Sequence, residues 1–135
     1  MLERIARYRD KINYIAENLE LIKAKPESEL EKSGVFYCLH TSIEAAMDLA
    51  AMAIRDMGRK VEDDYANIEI LKNSGLISSE LAMHLKKCNG LRNYLVHRYN
   101  EVDEQIALEN VDFVKKTMYS FLDAIEGFLD ELRVD

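Results

Sequence analysis

Along this chain apolar residues recur at alternating steps of three and four, and nowhere convincingly at steps of two. Steps of three and four stack side chains on one face of an α-helix, so the pattern predicts amphipathic helices and no sheet. Residues 2–23 carry Ile5, Tyr8, Ile12, Ile15, Leu19 and Ile22 on one stripe, and Pro26 ends the run. Ser28, with Glu31 three positions later, is a capping-box signature for a second helix. Its stripe is Phe36, Leu39, Ile43, Ala46, Ala50, Ala53 and Met57, it stops at Gly58, and its alanines predict close approach of a neighbour. A short third helix is expected over 65–72 and a fourth, capped by Ser78, over 78–98. A fifth, over 108–133, repeats Val111, Val114, Met118, Phe121, Ile125, Phe128 and Leu132. Four long helices and one short one, joined by short links, predict an all-α, up-and-down four-helix bundle forming a single domain over residues 1–135.

Composition changes that picture little. A chain of 135 residues, 48% of them hydrophobic, can bury a core without disulfides or metal. Cys38 and Cys88 stand fifty residues apart within apolar patterns and read as buried thiols of a reducing compartment. No apolar run approaches the roughly 20 residues of a membrane span, and the charged start "MLERIARYRDK" lacks the apolar centre of a signal peptide. A cytoplasmic protein without a membrane partner is expected.

Charge adds more. A net charge of −7 argues against a protein that coats nucleic acid, although a local site remains open. Residues 81–100 contain Lys86, Lys87, Arg92 and Arg98, two histidines and no acid, which leaves −11 on the rest of the chain. Inside this window the fourth-helix stripe runs Leu81, Leu85, Cys88, Arg92, Leu95, Tyr99, which places Arg92 on the packing seam. A buried guanidinium needs a carboxylate, a phosphate or an exit to water. With no acid nearby in sequence, the anion is expected from elsewhere. Asn93 and His97, four apart, lie on the adjacent face, and the helix C-terminus favours an imidazolium at His97. Gly90 in a helix suggests a site where a backbone or ligand comes close. The plain alternative is a snorkelling arginine and a histidine acting as C-terminal counter-charge.

Other candidates carry less. His84 and Cys88 have the spacing of two metal ligands but no second ligand pair, so no metal site and no cofactor are expected. His40 and Glu44 form an i,i+4 pair that reads as a surface or interhelix contact, or as a contribution to a cleft. Glu62-Asp63-Asp64 reads as a solvated charge complement at a helix start. Without a glycine-rich phosphate loop, the chain is not expected to bind ATP by itself, and the methionines fit core positions.

The stretch Arg92-Asn93-Tyr94-Leu95-Val96-His97-Arg98-Tyr99, preceded by Gly90-Leu91, resembles the motif of the HEPN superfamily and specifically of its HepT-like toxins. The segments "YCLHTSIEAAMDLA" (37–50) and "LKNSGLISSELAMHLKKCNGLRN" (71–93) are similar to that family too, so the resemblance covers most of the chain. Arg98 departs from it, standing where an acidic residue is often found. The resemblance implies an all-helical domain dimerising along the motif helix, and a metal-independent endoribonuclease with a composite site in which Arg92 and His97 of two chains face each other. Asn93 and Arg98 would orient groups or hold the RNA substrate. It also implies a cognate minimal nucleotidyltransferase antitoxin that adenylylates Tyr99. Two other readings stay open: a non-catalytic helical scaffold for such a nucleotidyltransferase, with the Arg/His seam serving dimer recognition, and a nucleotide-binding helical module.

Overall fold

The structure, a computed structural model, describes residues 2–23, 25–96 and 101–134, without the side chains of residues 93, 96, 101 and 134. Helix α1 (Leu2–Leu21) buries its predicted stripe, with Tyr8, Ile15 and Leu19 wholly inside and Ile22 buried just past its end. Helix α2 (Glu29–Asp56) starts as its capping box foretells. The Ser28 hydroxyl accepts from the Glu31 amide at 3.1 Å, and the Glu31 carboxylate accepts from the Glu27 amide at 2.9 Å. Beyond the expected stripe, α2 also buries Val35, Ser42, Ala45, Met47, Leu49 and Ile54. The reason is position: α1, α3, α5 and α7 all pack on it, so one apolar face does not suffice. Gly58 at φ +76° and Gly75 at φ +86° end α2 and α3 in the left-handed region that a side chain disfavours.

Helix α3 (Asp64–Ser74) is capped by Asp63, whose carboxylate accepts from the Ala66 amide at 2.9 Å. Helix α4 (Ser79–Gly90) is capped by Ser78, as expected, through the Leu81 amide at 3.0 Å. It ends sooner than the periodicity predicts. A turn at Leu91 separates it from a short α5 (Arg92–Val96), and α6 (Glu101–Glu109), absent from the expected elements, precedes α7 (Val111–Val134). The α6 stripe of Val102, Ile106 and Leu108 is thin, and Val102 is exposed, which is why periodicity did not reveal it. In α7, Val111, Val114, Met118, Phe121, Ile125 and Phe128 are buried as their spacing requires.

Among the described residues all regular secondary structure is thus helical, and the helices share one hydrophobic core. Helix α1 lies antiparallel to α2, as the contacts of Tyr8 with Asp56 and Lys11 with Asp48 show, and to α7, through Arg9 with Glu126 and Tyr119 with Glu20. Tyr8 is the buried aromatic that ties the three together: its ring meets Phe128 edge-on at 6.2 Å and its hydroxyl donates to Asp56 at 2.6 Å. Burial and that hydrogen bond push the phenol well above its ordinary range.

Cys38 and Cys88 are free, buried thiols, as read from the sequence. Burial pushes Cys88 up to about 12 and Cys38 up as well. At neutral pH neither thiol should react with iodoacetamide in the folded protein, while both should react in denaturant. Rapid stoichiometric labelling of native Cys88, read by mass spectrometry, would contradict this packing.

Candidate active site at the Arg92 helix

The turn at Leu91 decides what the motif segment presents. Leu91 and Leu95 are buried in the core, with Cys88 and Leu85 before them, so the seam continues through leucines rather than through Arg92. The placement of Arg92 on the seam therefore does not hold. The chain rotates at Leu91, whose amide is shared between the Lys87 and Cys88 carbonyls at 3.1 Å each, and Arg92 emerges beside the seam with its side chain 30% exposed.

Its anions come from the same chain, 48 and 28 residues away. Arg92 Nη2 donates to Glu44 Oε1 of α2 at 3.0 Å, and Nη1 donates to Asp64 Oδ2 at 3.0 Å and to Asn89 Oδ1 at 3.1 Å. Glu44 Oε1 also lies 3.3 Å from His40 Nε2. A guanidinium carries five N–H donors, so Nε–H and one Nη2–H are left without a partner among the described residues. Four helices therefore converge on one fork, with α2, α3 and α4 supplying the acceptors.

Several sequence expectations change here. The acid-free window of residues 81–100 is not acid-free in space: Lys86 pairs with Glu69 of α3, and Arg92 with Glu44 and Asp64. Asp64, read as a solvated helix-start charge, holds Arg92, while its neighbour Asp63 does the capping. His40 and Glu44 pair within α2, and it is Glu44 that makes the interhelix contact, to Arg92 of α5, an end that carried no sequence signal. Asn89, with 8% of its surface exposed, carried no sequence signal beyond its place in the motif segment.

Among the described residues no backbone comes close to Gly90. A methyl there would meet the Tyr65 hydroxyl at 3.6 Å, an ordinary contact. Gly90→Ala should therefore be neutral or raise stability by up to about 1 kcal/mol in chemical denaturation; a loss of similar size would show that this end of α4 is more crowded. The His84 ring packs edge-on against Phe113 at 5.1 Å, and Cys88 is buried. His97, Arg98 and Tyr99 lie outside the described residues, as does the side chain of Asn93.

An all-helical fold that carries Arg92 on a short helix, braced by two carboxylates, agrees with the fold that the resemblance to the HEPN superfamily implies. Known proteins narrow this. The family model described as "Ribonuclease HepT-like" matches residues 2–125. A protein of Archaeoglobus fulgidus named "Putative RNase" is 51% identical over 129 residues, 96% of this chain and 98% of its own. The chain belongs to the HepT-like ribonuclease family. Among solved structures, a chain of the toxin–antitoxin MntA-HpeT crystal structure superposes with a TM-score of 0.80 at 23% identity, covering 89% of this chain and 97% of its own. The tri-AMPylated Shewanella oneidensis HEPN toxin in complex with MNT antitoxin does so with a TM-score of 0.68 at 24% identity, covering 93% and 96%. At these identities the two structures establish a shared fold. No helix among the described residues is long and apolar enough to cross a membrane.

Proposed function

We propose that this protein is the toxin of a cytoplasmic toxin–antitoxin module, a metal-independent endoribonuclease that acts as a homodimer with a composite site. The observation that carries the reading is the partly exposed Arg92 fork, fixed by its own chain yet with two N–H donors without a partner among the described residues, at the head of an intact Arg92-Asn93-x3-His97-x-Tyr99 motif. Membership of a ribonuclease family supports it.

In the proposed reaction His97 takes the 2′-OH proton, the 2′-oxygen forms a bond to the adjacent phosphorus, and the bond from phosphorus to the 5′-oxygen breaks. The partner chain's copy of the histidine protonates that leaving oxygen. A 2′,3′-cyclic phosphate and a 5′-OH result. No step requires a metal, because the charge building on the phosphorane is met by the edge of the Arg92 fork that has no partner among the described residues. Glu44, Asp64 and Asn89 keep that edge turned outward. Asn93 orients His97 or a phosphate oxygen, and Arg98 adds positive charge for RNA.

The cognate antitoxin would be a minimal nucleotidyltransferase, in line with the MNT partner of the similarly folded HEPN toxin, which is itself AMPylated. Here the acceptor would be Tyr99: its oxygen bonds the α-phosphorus of ATP and pyrophosphate leaves. The added phosphate would repel RNA and occupy Arg92.

A second reading is favoured by one observation: Arg92 already faces two carboxylates, as a purely architectural arginine would. In that case the chain is a non-catalytic scaffold for the nucleotidyltransferase. Cleavage of single-stranded RNA in excess EDTA by wild type, Arg92→Ala and His97→Ala separates the two. Intact RNA with wild type, or equal cutting by all three, ends the ribonuclease reading.

A further inference from the structure

Between the first half of α1 and the end of α2 lies a cleft of about 490 Å³ that the site above does not use. In a chain of net charge −7 it gathers four cations, Arg4, Arg7, Lys11 and Arg55, against two carboxylates, Asp10 and Asp56. Asp56 is already engaged: it accepts from the Tyr8 hydroxyl at 2.6 Å and pairs with Arg4 Nε at 3.2 Å. Arg7 and Arg55 are exposed, and among the described residues neither is paired with a carboxylate. Helix needs do not explain the whole group. Arg55 suits the last turn of α2, but Arg4 sits in the first turn of α1, where the helix dipole opposes a cation.

The cleft does not end there. A second hollow of about 390 Å³ on the same α1/α2 groove shares Asp10 and Lys11 with it and continues past Tyr14 and Thr41 to Glu44. Glu44 is the carboxylate that holds Arg92. About 17 Å of helix axis separates Arg55 from Glu44, a span of a few nucleotides. Along the groove the Asp48 charge is met by Lys11 at 3.3 Å. At the Arg92 end the lining Tyr14 is 42% exposed, Tyr37 nearby on α2 is 59% exposed, and the hydroxyl of Thr41 donates to the Tyr37 carbonyl at 3.0 Å. The cations of the first cleft suit the phosphates of a single strand, and the exposed rings suit its bases along the second hollow, where Asp10, Glu44 and Asp48 outnumber Lys11.

We infer that the α1/α2 groove is the track of the RNA strand, with backbone phosphates seated on Arg4, Arg7 and Arg55 at one end while the scissile phosphate reaches Arg92 at the other. The inference rests on the ribonuclease reading for the identity of the strand. It makes the protein a reader of single-stranded RNA several nucleotides long, and it sets the direction in which the strand leaves the site.

The test is anisotropy binding of a labelled, fully 2′-O-methylated single-stranded RNA of about twelve nucleotides, which cannot be cut. Arg7→Glu/Arg55→Glu should weaken binding about tenfold or more and lower the salt slope by about 1.4, two phosphate contacts on a single strand. Asp10→Asn, which removes the unpaired carboxylate of the cleft, should tighten binding. Melting curves are taken in parallel; were the double variant to melt early, Arg7→Gln/Arg55→Gln and Asp10→Asn carry the comparison. Unchanged affinity and slope in a variant that melts like wild type would overturn the inference. So would unchanged RNA binding with lost antitoxin binding, which would assign the cleft to a protein partner. A wild type that cuts RNA while these variants bind normally sinks the groove alone; one that binds through the cleft but never cuts sinks the ribonuclease reading alone.

Discussion

Arg92→Ala should lower RNA cleavage by about 10²–10³-fold, the usual loss when one preorganised transition-state donor is removed. His97→Ala should lower it by about 10²–10⁴-fold, the range of general acid–base catalysis. The Arg92 value follows from its surroundings. Without the guanidinium, Glu44 and Asp64 face the site unopposed, so a phosphate meets two negative charges where it had met a braced cation. Arg92→Lys should rescue little, because one ammonium cannot hold Glu44, Asp64 and Asn89 and still offer a planar edge. Stability should barely move with Arg92→Ala: the side chain is 30% exposed, and ion pairs at such positions contribute no more than about 1 kcal/mol. A melting temperature near wild type with cleavage lost marks a functional defect; full cleavage by Arg92→Ala would return the residue to architecture.

Phe121→Ala should cost about 3–5 kcal/mol of folding stability in urea or guanidinium denaturation. Phe121 is wholly buried on α7, the helix that packs on α1, α2 and α4 together. The cavity would open where three helices meet, and close packing lets it relax only in part. Phe113, at the other end of α7, is partly buried beneath His84 and the Lys87 ammonium at 4.4 Å, so its truncation should cost clearly less. A loss below about 1 kcal/mol for Phe121→Ala would mean that the stripe of α7 is not the centre of the core. This matters for the site as well. Asn89 on α4 and Glu44 on α2 hold Arg92 from helices that α7 keeps apart, so a loosened α7 should lower cleavage together with stability.

The legibility of the molecule differs by element. The stripes of α1, α2 and α7 and the caps at Ser28 and Ser78 were readable because each depends on residues within a turn or two of one another. The end of α4 was not, because the 3-4 rhythm runs on through Arg92 as if the helix did. Only in three dimensions does Leu91 take the buried place and turn the arginine out. Glu44 and Asp64 were both noticed, each for a local reason, and neither local reason disclosed the partner they share. Arg4, Arg7 and Arg55 form no pattern along the chain and share a cleft only where α1 and α2 pack side by side.

By itself, then, the sequence determined α1, α2, α3 and α7, most of the core and, through the motif at residues 92–99, the family resemblance. These rest on periodicity and on side chains close along the chain. The bracing of Arg92, the neutralising of an apparently basic window and the cationic cleft between α1 and α2 were decided by tertiary structure alone. Charge acts through distance in space, and residues 28, 48 or more apart in sequence become neighbours only when the helices pack.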